Sequence, residues 1–293
     1  MGVFKRSIGL ALGGGGARGF AHIGVLKILE REKIPIEFIV GTSMGAIVGA
    51  VYAQLLDAKA VEEKFKSLLK NPSFKTTGLD ASGKKRLSDN WLDHLARNIK
   101  ESVAMNVAAY RRSVFGMERL STTLEFLLED GLLQETRIPF AAVASDLIDG
   151  DEVILNKGSI LEAVTASAAL PGYLPPVDTN GRLLIDGAAT SPVPIRAVKK
   201  LVPKSKVLAV DVSKILPREP ELDNIIDIVL QSYQITARHY HNELIKEADF
   251  LLQPSVGEFH WSQFDKLEWL IQEGEFAAEN ALAGIKKLVK GWF

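Results

Sequence analysis

Apolar positions along the chain fall in short bursts separated by glycine, proline and charge, and the period within each burst names an element. Ser7 to Leu12 is a run of strand length that empties into Gly13-Gly14-Gly15-Gly16-Ala17-Arg18-Gly19. A helix is predicted next, with Phe20, Ile23, Leu26, Ile28 and Leu29 supplying its apolar face, and Glu30-Arg31-Glu32-Lys33 closing it before Pro35. Ile36 to Val40 has the length and β-branched content of a buried strand. Ala46 to Ala53 is apolar nearly all round, as a helix packed inside an α/β layer would be. Asp57 to Lys70 reads as a charged amphipathic helix, and Asn71 to Asp89 as a polar loop or insertion. Helical spacing returns at Trp91, Leu92, Leu95, Ile99 and Val103, then at Leu120, Leu124, Leu127 and Leu128. These helices read as a plain helical subdomain, with a cover over the site as the alternative.

Further on, Ile138 to Ala144 and Glu152 to Leu155 predict a strand pair across a turn at Asp149-Gly150, with Asp146 as a turn carboxylate. A small-residue helix, Leu161 to Ala169, is stopped by Pro171-Gly172. Arg182 to Ile185 is a short strand ending at Asp186-Gly187-Ala188-Ala189, and Val207 to Val212 is another buried strand. A proline-rich link leads to a long helix from about Asn224 to Ala248, one more strand at Phe250 to Gln253, and a mostly helical end from Leu267 to Trp292. That end, with Lys286, Lys287, Lys290 and Trp292-Phe293, reads as docked on the core, an interfacial tail being the alternative. The 293 residues fit one domain: a core over about 7–212, a helical insertion over about 71–130 and a mainly helical part over about 213–293.

Composition narrows the function. Lys plus Arg number 35 against 36 Asp plus Glu, so the basic excess of a nucleic-acid binder is missing and no nucleic-acid partner is expected. With no cysteine, disulfides, thiolate metal sites and a cysteine nucleophile are excluded, and a reducing, cytoplasmic setting fits. Lys5-Arg6 before Ile8 to Leu12 mimics a signal peptide, but the apolar stretch is too short. Met1-Gly2 lacks the Ser or Thr that myristoylation needs at the sixth position, which is Arg6. Phe38 to Leu56 runs nineteen residues without a charge, long enough for a membrane span. Pro35, three glycines and a Thr-Ser pair make strand, turn and helix the better account.

That turn carries the first candidate chemistry. Gly41-Thr42-Ser43-Met44-Gly45 satisfies G-x-S-x-G, the elbow that exposes a nucleophilic serine between strand and helix. The glycine loop has two meanings. Gly14-x-Gly16-x-x-Gly19 fits the dinucleotide fingerprint, yet the second strand ends in the elbow serine where a ribose-binding acid belongs, and Phe20 stands where a P-loop needs lysine. Its other meaning is an oxyanion hole, since glycines at a helix N-terminus present free N–H groups with partial positive charge. Loops after successive parallel strands share one sheet edge, so the glycine loop and Ser43 are expected to be neighbours. Asp186, at a strand end beside glycine, is a candidate carboxylate, although Asp-Gly is also a common turn. Lys84-Lys85-Arg86 reads as a solvated loop, with lipid headgroups as the alternative.

Together Gly14-Gly15-Gly16-Ala17-Arg18-Gly19, Gly41-Thr42-Ser43-Met44-Gly45 and Asp186-Gly187-Ala188, in this order, resemble the patatin-like phospholipase family. Phe20-Ala21-His22-Ile23-Gly24-Val25-Leu26 and Ala166-Ser167-Ala168-Ala169-Leu170-Pro171 resemble its bacterial branch. The resemblance covers about residues 7 to 212. It implies a three-layer α/β/α fold with a mainly parallel sheet, hydrolysis of lipid or other carboxylic esters, and a Ser-Asp dyad without metal or cofactor. It makes Ser43 the nucleophile, Asp186 its base and Gly14, Gly15 and Gly16 the oxyanion hole, with Arg18, Gly19, Gly41, Gly45, Gly187 and Ala188 as supporting motif positions. Arg18 is expected to fix the loop through an ion pair. A dyad also agrees with the histidines: His22, His94, His239, His241 and His260 include none at a strand-end turn suited to face Ser43. Burial of Asp186, or the helix N-terminus behind Ser43, must then make the pair basic enough. The expected partner is a lipid or ester substrate, with peripheral membrane contact left open. The rival readings are a nucleotide-binding protein and a non-catalytic regulatory one.

Overall fold

Alternation along the strands decides the layering. In β1 (Ile8–Leu12), β2 (Ile36–Thr42), β3 (Phe140–Asp146) and β7 (Lys206–Val210), one set of side chains joins a large core that includes Leu10, Leu12, Ile39, Phe140, Leu208 and Val210. The intervening set, Ala11, Val40, Ala141, Val143, Val207 and Ala209, joins a second, smaller core. A period of two with both phases buried means a sheet covered on both faces. The first face is covered by α1 (Ala21–Arg31), α2 (Met44–Leu55), α3 (Ala58–Lys70), α4 (Glu118–Leu127) and, from the far end of the chain, α8 (Leu267–Asn280). The second is covered by α6 (Ile195–Leu201) and by Leu244 at the end of α7 (Ile225–Leu244). The result is a three-layer α/β/α fold.

This is a computed structural model, and it describes residues 6–71, 74, 113–179, 181–213, 222–223, 225–257 and 259–290. Much of the predicted insertion, including Lys84-Lys85-Arg86 and the helical spacing at Trp91 to Val103, lies outside the described residues, as do most of the proline-rich link and Trp292-Phe293. Adding β4 (Glu152–Leu155), β5 (Val177–Thr179), β6 (Arg182–Asp186) and β8 (Phe250–Leu252) completes one eight-stranded sheet of order β5-β6-β3-β2-β1-β7-β8, with β4 also on β3. Pairs β1–β2, β1–β7, β2–β3 and β7–β8 are parallel; β4 and β6 meet β3 antiparallel, and β5 meets β6 the same way.

Register on β3 has a geometric consequence. Ala142 pairs with Gly41 of β2 and Leu155 of β4, so those strands take opposite edges of β3. Ala144 pairs with Val153 of β4 and Asp186 of β6, so β6 shares the edge that β2 occupies. Thr42 stands opposite Val143 and Asp186 opposite Ala144: two strands run toward each other along one edge and stop at adjacent positions. Their ends are the elbow and the Asp-Gly turn.

The nineteen uncharged residues from Phe38 divide into β2, a turn and α2, as strand-turn-helix requires, and no described helix is long and apolar enough to cross a membrane. Two further short elements matter below. They are α5 (Ile160–Ser167), capped by the Ser159 hydroxyl, and α9 (Leu282–Leu288), whose Ile285 is fully buried. The C-terminal part thus docks on the core through α8 and α9.

Candidate active site

Ser43 stands between β2 and α2 with φ 54° and ψ −123°, a left-handed conformation that a non-glycine residue adopts at a cost of roughly 1–3 kcal/mol. Close packing on both sides enforces it. A Cβ on Gly45 would lie 2.2 Å from the Leu12 carbonyl oxygen, and one on Gly41 would lie 2.4 Å from Ala46 Cα, so only glycine lets the turn nest against β1 and α2. The Ser43 N–H donates to Ser167 Oγ at 3.0 Å, and that hydroxyl donates to the Val143 carbonyl at 2.6 Å. Thr42 Oγ1 donates to the Ser191 carbonyl at 2.8 Å, sewing the elbow to the loop after β6.

Asp186 lies across that seam. Its side chain is buried; the Ser43 hydroxyl hydrogen-bonds it, and the Ala188 N–H donates to Oδ1 at 2.8 Å. Burial raises its pKa to about 6, against the lowering effect of those two hydrogen bonds. Gly187 tucks against the Val143 carbonyl, where no side chain fits. A carboxyl poised near neutral and bonded to a hydroxyl can take up that hydroxyl's proton.

The glycine loop follows β1, whose Leu12 pairs with Gly41 of β2, and so emerges on the same edge as Ser43. Its amides divide into two groups. Gly13 N–H donates to the Val210 carbonyl at 3.0 Å, Gly14 N–H to the Pro192 carbonyl at 2.9 Å and Ala17 N–H to the Trp261 carbonyl. Gly15 and Gly16, entering a 3-10 turn over Gly16–Phe20 that leads into α1, have no acceptor for their N–H groups among the described residues. Gly14 lies against Ser43, but its amide is committed to Pro192, which leaves Gly15 and Gly16 as the available donors.

Two residues brace this loop from below and behind. His22 is fully buried, and its Nε2 donates to the Gly13 carbonyl at 2.8 Å, which fixes the tautomer. Burial lowers its pKa to about 4, outweighing the Gly13 carbonyl and Asp211, so the ring is neutral at pH 7. Arg18 Nη1 donates to the Phe259 carbonyl at 3.0 Å, tying the loop to the C-terminal segment. Gly19 packs against Met44, the first residue of α2.

Ser43, Asp186, Ala188 and Gly14 to Gly16 open on one cavity of about 590 Å³. That is within the range that encloses most of a small ligand. Its wall away from the sheet is mainly apolar and aromatic: Phe65 and Leu68 of α3, Leu120 and Leu127 of α4, Tyr173 and Phe264. Of the predicted helical insertion, the described α4 lends Leu120, Thr123 and Leu127 to that wall. On the opposite side α7 contributes Gln234, Arg238 and His241. His241, on the long helix, stands at the cavity wall. Its Nε2 is engaged, 3.0 Å from Asp211 Oδ2 and 3.2 Å from Ser213 Oγ.

Sequence reading missed the work of Ser167 and His22. Ser167 is a lone hydroxyl in a run of alanines at the end of α5, a signal of a polar contact without a partner's name. His22 in an otherwise apolar helix face is the same kind of signal.

The family model described as patatin-like phospholipase matches residues 10–199. A patatin-like phospholipase domain-containing protein of Caenorhabditis elegans is 30% identical over 211 residues, which is 71% of this chain and 14% of that protein. An uncharacterized NTE family protein of Mycobacterium tuberculosis is 30% identical over 194 residues, 65% of this chain and 45% of that one. The chain thus spans less than half the length of these relatives. Among solved structures, VipD from Legionella pneumophila is similar at TM-score 0.48 and 13% identity, covering 96% of this chain and 67% of that chain.

Proposed function

The chain belongs to the patatin-like phospholipase family, and from that premise we propose that it is a serine hydrolase of lipid carboxylic esters, working as one hydrolase domain with a Ser43–Asp186 dyad. One observation carries the reading: a serine held at φ 54° with its hydroxyl bonded to a buried carboxyl. In the proposed reaction Ser43 Oγ attacks the ester carbonyl carbon while its proton passes to Asp186, and Gly15 and Gly16 N–H groups receive the negative oxygen. The N-terminus of α2 behind Ser43 favours charge at that end. Collapse expels the alcohol, which leaves with the proton from Asp186, and an acyl ester remains on Ser43. Water then attacks that ester with Asp186 again accepting a proton, and collapse frees the acid and restores the Ser43 hydroxyl. The apolar wall from α3 and α4 suits the acyl chain.

The test is a fluorophosphonate probe on the purified chain, with the modified residue mapped by mass spectrometry. Labelling at Ser43 that is strongly reduced in Asp186→Asn is the expected result. Labelling elsewhere, or none, overturns the proposal.

A further inference from the structure

The first half of helix α7 is built inside out. The helix's sheltered positions include Asp227, Gln231, Gln234 and His241, and the Gln234 Oε1 is buried with no partner among the described residues. Its outward stripe is apolar: Ile225 is 76% exposed, Ile228 52%, Val229 60% and Tyr233 56%. These positions follow one face at spacings of three, four and eight. A surface helix of a water-bathed protein has the reverse arrangement. From Ile225 to Ile235 the only charged residue is Asp227, which is turned inward and buried.

The stripe is not remote from the chemistry. Tyr233 and Tyr240 are exposed and at the same time line the catalytic cavity, so the apolar surface runs into the cavity's mouth. The turn after β3 also exposes apolar side chains, Leu147 at 52% and Ile148 at 67%. We propose that the outward face of α7 is the surface by which this protein lies on a lipid bilayer, so that an ester passes from the bilayer into the cavity along the helix. This rests on the lipid-hydrolase reading and adds where the substrate phase sits. A second copy seated on the same stripe would close the mouth to substrate, which favours lipid as the occupant. The helix lies in the interface plane and does not span, since no described helix is long and apolar enough to cross. With no exposed charge on the stripe, a zwitterionic bilayer is enough.

The experiment floats the full chain with phosphatidylcholine vesicles, in a Ser43→Ala background so that hydrolysis cannot alter them, beside a chain also carrying Ile225→Glu, Ile228→Glu and Val229→Glu. Partitioning should fall at least tenfold in the triple variant. With Ser43 restored, the triple variant should cleave a water-soluble short-chain ester within about twofold of the parent. A parent that does not float, or equal flotation of both, overturns the proposal. So does sedimentation equilibrium showing a parent dimer that the triple variant splits, because the stripe then belongs to a second copy. If the parent floats, the variant does not, and neither cleaves any ester, the surface stands and the hydrolase reading falls.

Discussion

Two serine clusters share one cavity, and the one that holds all three residue types of a catalytic triad lacks the geometry of a proton relay. Ser213, His241 and Asp211 lie within hydrogen-bonding distance of one another, whereas Ser43 has only Asp186. The difference lies in the backbone and in which atoms are used. Ser213 Oγ and Asp211 Oδ2 both face the same ring nitrogen of His241, so the imidazole cannot relay a proton from one to the other. Asp211 also accepts from the Ser213 N–H at 2.9 Å and Gln253 Nε2 at 2.9 Å, while its own N–H donates to the Leu252 carbonyl. This is a clip joining β7, β8 and α7. Ser43 instead has a left-handed backbone, a helix behind it and, lining the same cavity, two glycines whose amides have no acceptor among the described residues.

The largest expected effect would reverse that ranking if it failed. Ser43→Ala should lower kcat/KM for a soluble ester by at least about 10³-fold, while Ser213→Ala stays within a few-fold of the parent; initial rates on the two purified variants decide it. Next, Asp186→Asn should cost about 10²–10⁴-fold. In the parent, kcat/KM should rise with pH through about 6 and level off above it. The linked stability runs the other way. A carboxyl raised from 3.8 to about 6 in the fold stabilises fully below the lower value, and that contribution is lost as pH rises through about 6. The penalty at pH 8 is of order 3 kcal/mol, so Asp186→Asn should then melt above the parent.

A third outcome concerns the clip. Burial raises the Asp211 pKa, but the His241 and Ser213 hydrogen bonds and the His241 charge outweigh it and hold the carboxyl at about 2. It therefore stabilises above its ordinary 3.8 and stops doing so as pH falls through about 2. Asp211→Ala should cost about 3 kcal/mol in urea unfolding, as removal of one partner of a buried pair does, while the folded fraction stays active. The smallest effect belongs to Ser167→Ala, which removes the acceptor of the Ser43 N–H and should cost about 1 kcal/mol and a few-fold in kcat. A loss in kcat as large as that of Asp186→Asn would make Ser167 part of the chemistry.

Local features were legible in the sequence because their physics is local. The elbow is marked by two glycines whose neighbours leave no room for a Cβ, and the strand before it by its own apolar period. Features set by distant register were not. Nothing within Arg182 to Asp186 tells that β6 runs antiparallel and stops opposite Ala144, nor does the glycine run tell that Pro192 takes the Gly14 amide. That His241 reaches the cavity wall is not legible either, because a place in a helix says which turn a residue occupies but not which element the helix crosses. The inverted stripe of α7 was hidden for the same reason, since periodicity reports a face and only packing reports where it points.

The shared edge of β3 makes that strand a ruler. Ser43 and Asp186 end strands that do not pair with each other; Thr42, just before Ser43, and Asp186 are read off against consecutive graduations, Val143 and Ala144. A single extra residue inserted at that mark would leave both arriving strands intact, shift one by about 3.3 Å and turn it to the other face. Two well-formed halves would then face a gap, which makes the spacing along β3 a dimension on which the meeting of Ser43 and Asp186 depends.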